Sequence, residues 1–207
     1  MPKPDLDNAY SLNGPDDAKR LYADWAETYD QEFAGAMDFI VPDRVAAAYL
    51  SAGGCGPVLD FGCGTGLAGV ALARLAVGPI DGADLSSEML DVARRKGVYR
   101  DLIAGDVMAG LDIPNGSYQG IISSGTFTHG HVGPDALNEL LRIAAPGAQF
   151  ALSINGAHFE AAGFRAKFRD LKAQISPPQL PEVRFYGDAA TGPHKNDTGR
   201  IAIFRKL

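Results

Sequence analysis

A glycine-rich stretch at residues 58–69, VLDFGCGTGLAG, contains the residue types that bind a nucleotide-like ligand. Glycines let the backbone turn sharply and approach a ligand closely, and the N–H groups at a helix start attract anionic groups. The stretch fits two patterns at once. From Asp60 it reads D-x-G-x-G-x-G, and from Gly64 it reads G-x-G-x-x-G, ending at Gly69.

The two patterns indicate different ligands, S-adenosylmethionine for the first and a dinucleotide such as NAD for the second. In a dinucleotide site the first glycine follows directly on the strand. Here the apolar run ends at Phe61, so the first glycine is Gly62, and the position of the third dinucleotide glycine holds Leu67. The register therefore favours S-adenosylmethionine.

Carboxylates lie at or just beyond the ends of three predicted strands. Asp60 precedes the glycines, where it suits a ligand with an ammonium group and is unhelpful beside a pyrophosphate. Asp84 lies about 20 residues further on, where a carboxylate binds ribose hydroxyls in both ligand types. Asp106 can accept a hydrogen bond from an adenine amino group while Val107 packs on the ring.

Strands and helices alternate through the middle of the chain, which predicts a mostly parallel sheet with helices on both faces. Without an intervening helix, the last two extended segments should form an antiparallel hairpin. The predicted strands are Pro57–Phe61, Pro79–Ala83, Tyr99–Ala104, Tyr118–Ser124, Gln149–Asn155, Glu182–Tyr186 and Arg200–Arg205; the predicted helices begin near Pro15 and then cover Pro42–Ser51, Leu67–Ala76, Ser86–Lys96, Asp135–Ala145 and about 158–174.

Composition limits the function classes. A length of 207 residues suits one domain, and a net charge of −6 argues against a general affinity for nucleic acid. No apolar run approaches the ~20 residues that span a bilayer. The polar N-terminus and the two cysteines, Cys55 and Cys63, favour a cytoplasmic location, and no ligand spacing indicates a metal.

The ordered motifs resemble those of the class I S-adenosylmethionine-dependent methyltransferases over about residues 20–155. They are VLDFGCGTG, GADLSSEML, AGDV, IISSGTFTH and LLRIAAPGAQFALSI, the last with Ala148 where the family has a second glycine. More narrowly, YADWAETYD and SSGTFTHGHVG resemble the Williams–Beuren-region methyltransferase-like proteins.

The resemblance implies a doubly wound, seven-stranded, mostly parallel α/β sheet, the Rossmann-like methyltransferase fold, with a C-terminal antiparallel hairpin. It implies a single domain over 1–207, with 15–53 as an N-terminal helical lid and 57–207 as the cofactor-binding core.

The implied cofactor is S-adenosyl-L-methionine. Its carboxylate would meet the glycine-rich turn, its ammonium Asp60 and the Ser123 carbonyl, and its ribose Asp84. The predicted cofactor-binding residues are Tyr22, Tyr29, Asp60, Gly62, Cys63, Gly64, Asp84, Leu85, Met89, Asp106, Val107 and Ser123.

An aromatic stripe in the first helix belongs to the implied lid. Tyr22 and Tyr29 could hydrogen-bond the cofactor carboxylate, and Trp25 could bound the substrate side. The alternative is that this stripe is ordinary core packing, which is the usual role of aromatic residues at helical spacing.

The implied reaction is methyl transfer to an O, N, S or C nucleophile of a small molecule, by a monomer or homodimer. His129 and His131 are candidate general bases, and Thr126 and Phe127 candidate substrate contacts. Alternatively, the two histidines cap a loop or face solvent. A non-catalytic S-adenosylmethionine or S-adenosylhomocysteine binder, a protein side-chain methyltransferase and an NAD-dependent dehydrogenase stay open as alternatives.

Overall fold

A computed structural model describes residues 14–207, and within them seven strands form one sheet. The strands are β1 Val58–Phe61, β2 Ile80–Asp84, β3 Asp101–Ala104, β4 Tyr118–Phe127, β5 Ala144–Asn155, β6 Glu182–Arg184 and β7 Thr198–Arg205. Their order is β3-β2-β1-β4-β5-β7-β6. The first five pair in parallel, and β7 is antiparallel to both β5 and β6. The predicted α/β sheet with a C-terminal antiparallel hairpin is confirmed.

Helices cover both faces of this sheet. They are α1 Pro15–Trp25, a π-helix Tyr29–Gly35, α2 Val41–Ser51, α3 Leu67–Arg74, α4 Ser87–Arg95, α5 Ala136–Ile143, α6 Gly156–Ala161, α7 Phe164–Asp170 and a 3-10 helix Pro193–Asn196. The Ser86 hydroxyl caps α4 by accepting the Met89 N–H at 3.2 Å, as its position before the helix predicts. None of the described helices is long and apolar enough to cross a lipid bilayer.

Several element boundaries differ from the sequence-based expectation, and β4 continues beyond Ser124 to Phe127. Strand β5 already starts at Ala144, because Pro146 and Gly147 form an irregularity within the strand and do not end it. The expected helix over 158–174 is two helices, interrupted at Gly163 with its left-handed φ of 83°. The aromatic stripe likewise runs over two segments, since α1 ends at Trp25.

The core consists of two apolar layers, one on each side of the sheet. Successive residues of a strand point to opposite faces, so Val58 and Ile122 join one layer while Leu59 and Ile121 join the other. The first layer packs against α2 and α3, and the second against α5, α6 and α7. Burial on both faces explains why β1 is apolar apart from Asp60.

The chain order creates a crevice between β1 and β4. The chain runs outward from β1 through β2 to β3, and then returns to the other side of β1 with β4. Ligands of such sheets bind at this switch point, beyond the carboxyl ends of the strands. The residues that follow β1, β2, β3 and β4 therefore meet at one edge of the sheet.

Gly120 of β4 lies where α2 packs against the sheet, so a substitution there measures how tight this packing is. An added Cβ would lie 1.6 Å from Tyr49 Oη, and Tyr49 is fully buried, with its hydroxyl donating to the Cys55 carbonyl at 2.6 Å. We expect Gly120→Ala to lower the free energy of unfolding by about 2–3 kcal/mol in urea denaturation. Gly133→Ala is the control, because no described heavy atom lies within 4 Å of its added Cβ. Equal losses in the two variants would contradict this account.

Candidate functional site

A cavity of about 290 Å³ lies at the carboxyl ends of β1, β2, β3 and β4. It is bounded by the turns that follow these strands and, on its open side, by residues of α1 and the π-helix. Most of the residues predicted from the sequence line it: Tyr22, Tyr29, Asp60, Gly62, Cys63, Gly64, Asp84, Leu85, Met89, Asp106, Val107, Thr126 and His131.

Four predicted residues lie outside the cavity lining. Ser123 is buried within β4, and its neighbour Ser124 lines the cavity instead. Trp25 is buried against the rings of the stripe, and Phe127 is buried between Phe61 and Phe164.

His129, the fourth, packs its ring against His158 at a centroid distance of 5.3 Å. Sequence reasoning also missed part of the lining, because apolar residues are not distinguishable from core residues in the sequence. The missed residues include Phe39, Pro42, Met108 and Val132.

The glycine-rich turn is held in a conformation that side chains oppose. Gly62, Gly64 and Gly66 have left-handed φ angles of 64°, 52° and 93°. An added Cβ at Gly62 would lie 2.0 Å from the Thr126 hydroxyl oxygen. The turn is tied to β2, because the N–H groups of Gly62 and Cys63 both donate to the Ala83 carbonyl.

Asp60 is a completely buried carboxylate directly beneath this turn. Its Oδ2 accepts a hydrogen bond from the Tyr99 hydroxyl at 2.7 Å, while its Oδ1 receives none from residues 14–207. Burial, with a contribution from Asp84, raises the pKa of Asp60 to about 7, although the bond from Tyr99 and the nearby Gly69 N–H oppose the rise. An unpaired buried oxygen is costly, so a cationic donor at this place would be bound favourably.

Asp84 ends β2 with both carboxylate oxygens oriented by the backbone. Oδ2 accepts the Gly64 N–H at 2.8 Å and Oδ1 accepts the Ser86 N–H at 2.9 Å. Each oxygen keeps lone-pair capacity for a further donor. Burial raises the pKa of Asp84, opposed by these same backbone hydrogen bonds. The arrangement suits a pair of neighbouring hydroxyl groups.

Asp106, Val107 and Met89 line the cavity together. The Asp106 Oδ1 accepts the Met108 N–H at 2.8 Å, which fixes the carboxylate at the end of β3. Val107 and Met89 are almost completely buried. These residues provide a polar edge and an apolar wall, as a purine ring requires.

His131 and Tyr22 form a hydrogen-bonded pair across the cavity. His131 Nδ1 lies 2.8 Å from the His129 carbonyl oxygen, which can only accept, so Nδ1 carries the proton of the neutral ring. Nε2 then accepts from the Tyr22 hydroxyl at 2.9 Å. Burial lowers the pKa of His131, which favours this neutral form. The bond to the His129 carbonyl also stabilises the loop, so His131 both stabilises the loop and lines the cavity.

Asp30 of the π-helix contacts two elements that bound the cavity. Its Oδ1 accepts from the Thr65 hydroxyl of the glycine-rich turn at 2.5 Å, and its Oδ2 lies 2.6 Å from Lys96 Nζ. A second, exposed ion pair joins Glu27 to Arg95 at 2.8 Å. No sequence motif indicated these contacts, because they join residues far apart in the chain.

Comparison with known proteins agrees with this site. A family model described as a methyltransferase domain matches residues 58–147. Human methyltransferase-like protein 27 is 31% identical over 147 residues, which are 67% of this chain and 59% of that protein. An Arabidopsis thaliana 18S rRNA (guanine-N(7))-methyltransferase, RID2, is 42% identical over 66 residues, which are 32% of this chain and 22% of that protein. The chain thus spans less than two thirds of the length of either relative.

Solved structures agree in fold. A 1,6-didemethyltoxoflavin-N1-methyltransferase from Burkholderia thailandensis, solved with S-adenosylhomocysteine, has a TM-score of 0.64 at 19% identity, covering 95% of this chain and 92% of that one. A SAM-dependent methyltransferase from Aquifex aeolicus has a TM-score of 0.62 at 20% identity, covering 87% and 97%. At such identities these likenesses concern the fold alone.

The matched segment contains the turn after β1 and the carboxylates at the carboxyl ends of β1, β2 and β3, which line the cavity. The cofactor of this family is S-adenosyl-L-methionine, and the unpaired oxygen of Asp60 and the oriented carboxylate of Asp84 fit its ammonium and its ribose hydroxyls. Residues 58–147 thus match the methyltransferase-domain family, and the chain has the fold of the S-adenosylmethionine-dependent methyltransferases.

Proposed function

We propose that the protein transfers a methyl group from S-adenosyl-L-methionine to an O, N, S or C nucleophile of a small molecule. The observation that carries the proposal is the buried Asp60 Oδ1, which has no donor within residues 14–207 and borders the cavity. A pyrophosphate would be repelled by this carboxylate, whereas an ammonium group would pair with it. A dinucleotide is therefore a poorer ligand for this cavity.

The cofactor would be held by residues of the first four strand ends. Asp60 would bind its ammonium, the turn around Gly62 and Gly64 its carboxylate, Asp84 its ribose and Asp106 its adenine amino group. Leu85, Met89 and Val107 would bound the ring. Bound S-adenosylmethionine supplies a methyl group on a positively charged sulfur, so the protein has to align an acceptor and exclude water.

His131 is the general base that we propose for acceptors carrying a proton. It borders the cavity, its ring is neutral, and its Nε2 lone pair faces the Tyr22 hydroxyl. His129 is the weaker candidate, because its ring packs on His158 and does not line the cavity. Thr126 lines the cavity and keeps its proposed role in substrate binding.

Residues 15–53 are proposed to act as a lid on a core of residues 57–207. Ala18, Tyr22 and Tyr29 line the open side of the cavity. The contacts of Asp30 with Thr65 and Lys96 hold the π-helix against the turn that receives the cofactor. Access to the cavity then requires these contacts to open.

The proposal of a small-molecule acceptor rests on the lining and the charge. Tyr22, Phe39, Pro42 and Val132 make the remaining wall aromatic and apolar, and the net charge of −6 disfavours polyanions. A guanine base of RNA is the second candidate, favoured by the similarity to the Arabidopsis rRNA methyltransferase over part of the chain.

Incubation with methyl-labelled S-adenosylmethionine separates these candidates. Small-molecule, protein and RNA fractions of a cell extract are offered in turn, and the fraction that takes up the label identifies the acceptor class. We expect label in the small-molecule fraction. Label in RNA or protein would overturn the acceptor class, and tight S-adenosylhomocysteine binding with no transfer would indicate a non-catalytic binder.

Asp84→Asn tests the cofactor site. The amide keeps the shape but loses the charge that strengthens hydrogen bonds from hydroxyl groups, so we expect about tenfold to a hundredfold weaker S-adenosylhomocysteine binding by calorimetry. Asp170→Asn, on the exposed end of α7, is the matched control and should bind like the wild type. If the wild-type protein binds NAD and no S-adenosylhomocysteine, the proposed function is wrong.

His131→Ala tests the general base. Turnover should fall by about 10²-fold or more, while S-adenosylhomocysteine affinity stays within about twofold. His194→Ala is the control, because His194 lies in the distant 3-10 helix. A loss in His129→Ala that is larger than in His131→Ala would reverse the assignment.

The pH profile gives a second measurement on His131. A base must be neutral, and burial lowers the pKa of His131 below its ordinary value of 6.5. With S-adenosylmethionine at saturating concentration, so that protonation of Asp60 does not empty the cofactor site, turnover should therefore persist below pH 6.5 and decline only as pH falls through the lowered pKa of His131. An acid limb above pH 6.5 that is absent from His131→Ala would contradict this account.

Asp30→Asn tests the lid. Loss of the charge weakens the contact with Lys96, so S-adenosylhomocysteine should dissociate about threefold to tenfold faster in stopped-flow measurements. Glu27→Gln is the matched control, since its ion pair with Arg95 is exposed on both sides and contributes little. Equal dissociation rates in Asp30→Asn and wild type would exclude Asp30 from the gating of the cavity.

A further inference from the structure

Tyr99 lies outside every motif, yet it reaches the centre of the site. It follows α4 and precedes β3, and its half-buried side chain runs beneath the glycine-rich turn. Its hydroxyl donates to Asp60 Oδ2 at 2.7 Å. That bond uses one carboxylate oxygen and leaves Oδ1, the oxygen without a partner in residues 14–207, for a ligand.

Three glycines make room for the Tyr99 ring. An added Cβ at Gly69 would lie 2.3 Å from Tyr99 Cζ and Oη, at Gly66 2.8 Å from Cε2, and at Gly82 3.1 Å from Cε1. Gly69, which completes the G-x-G-x-x-G pattern, thus has a structural cause that involves no dinucleotide. The ring fixes where its hydroxyl sits, because turn, helix and strand enclose it.

We propose that Tyr99 is a positioning residue for cofactor binding, whose hydroxyl orients Asp60 so that Oδ1 meets the ammonium group of the cofactor. This inference rests on the proposed function. Tyr99 itself does not line the cavity, so it acts through Asp60.

The same hydrogen bond sustains the charge of Asp60. Asp84 and the Cys63 thiol lie nearby and oppose a second negative charge, and Lys96 is the cation that faces this group of side chains. A donor to the ionised carboxylate favours the ionised form. Without the Tyr99 hydroxyl, Asp60 takes up its proton at a higher pH, and the attraction for an ammonium group is lost from that pH downward.

Tyr99→Phe isolates the hydroxyl, because it retains the ring that fills the space beside the three glycines. The probes are S-adenosylhomocysteine, which carries the ammonium group, and 5′-methylthioadenosine, which lacks the whole amino-acid portion. The matched control is Tyr118→Phe, which removes the same kind of bond, from Tyr118 Oη to Asp81 Oδ2 at 2.9 Å, at the opposite ends of the strands.

We expect Tyr99→Phe to bind S-adenosylhomocysteine about tenfold more weakly and 5′-methylthioadenosine unchanged, with both ligands unaffected in Tyr118→Phe. The pH at which S-adenosylhomocysteine affinity falls on the acid side should move upward in Tyr99→Phe. The ligand's own amino group is the same in every variant, so its titration does not affect the comparison.

Equal losses for the two probes would assign Tyr99 a merely structural role and overturn the proposal, as would unchanged affinity for both. An Asp60→Asn background provides a second test that stays open if Tyr99→Phe alone does not fold, since it removes the buried charge. There, the additional Tyr99→Phe change should alter S-adenosylhomocysteine affinity less than twofold, and a tenfold loss would overturn the proposal. If the wild-type protein binds neither probe, the proposed function itself fails, a result distinct from all of these.

Discussion

The rest of the site depends on a carboxylate placed inside the sheet. Asp60 is the polar residue of an otherwise apolar strand, and an ion in such surroundings is costly unless hydrogen bonds and an opposite charge compensate it. The Tyr99 hydroxyl and the nearby Gly69 N–H stabilise the charge in part, while Oδ1 has no donor within residues 14–207. A leucine or valine at position 60 would stabilise the fold better, so Asp60 is better explained by ligand binding than by folding stability.

The geometry around Asp60 follows from this requirement. The backbone must turn above the carboxylate without a side chain covering it, which the left-handed Gly62 and Gly64 permit. Asp84 then holds the turn from the neighbouring strand through the Gly64 N–H. Two neighbouring carboxylates each make it less favourable for the other to be ionised. Hydrogen bonds from backbone N–H groups to Asp84 offset part of this free-energy cost. The site is thus a balance of mutually dependent contacts.

Periodicity and motif order predict the sheet, because the alternation of apolar strands with helices is local in the chain. They predict most of the cavity lining for the same reason, since Asp60, Asp84 and Asp106 each lie at or just beyond the carboxyl end of a strand. They fail where the outcome depends on the fold. Ser123 and Ser124 are adjacent in sequence, and only the pleat of β4 decides that the Ser123 side chain is buried while Ser124 lines the cavity; the contact through the Ser123 carbonyl stays a prediction.

Contacts between distant segments are likewise invisible in the sequence. The bonds from Tyr99 to Asp60 and from Asp30 to Thr65 join parts of the chain that only folding brings together. Gly69 carried a readable signal, because a glycine inside a helix implies a bulky neighbour, but the identity of that neighbour required the structure.

The hydrogen bond between Tyr22 and His131 has a consequence for selectivity. Tyr22 belongs to α1 and His131 to the loop after β4, and the bond occupies the imidazole lone pair that a base would use. A guest molecule must displace the phenol and offer a comparable hydrogen bond in return. Molecules without an O–H, N–H or S–H group gain nothing from this exchange, so on the proposed function we expect the pair to favour protic acceptors over aprotic ones.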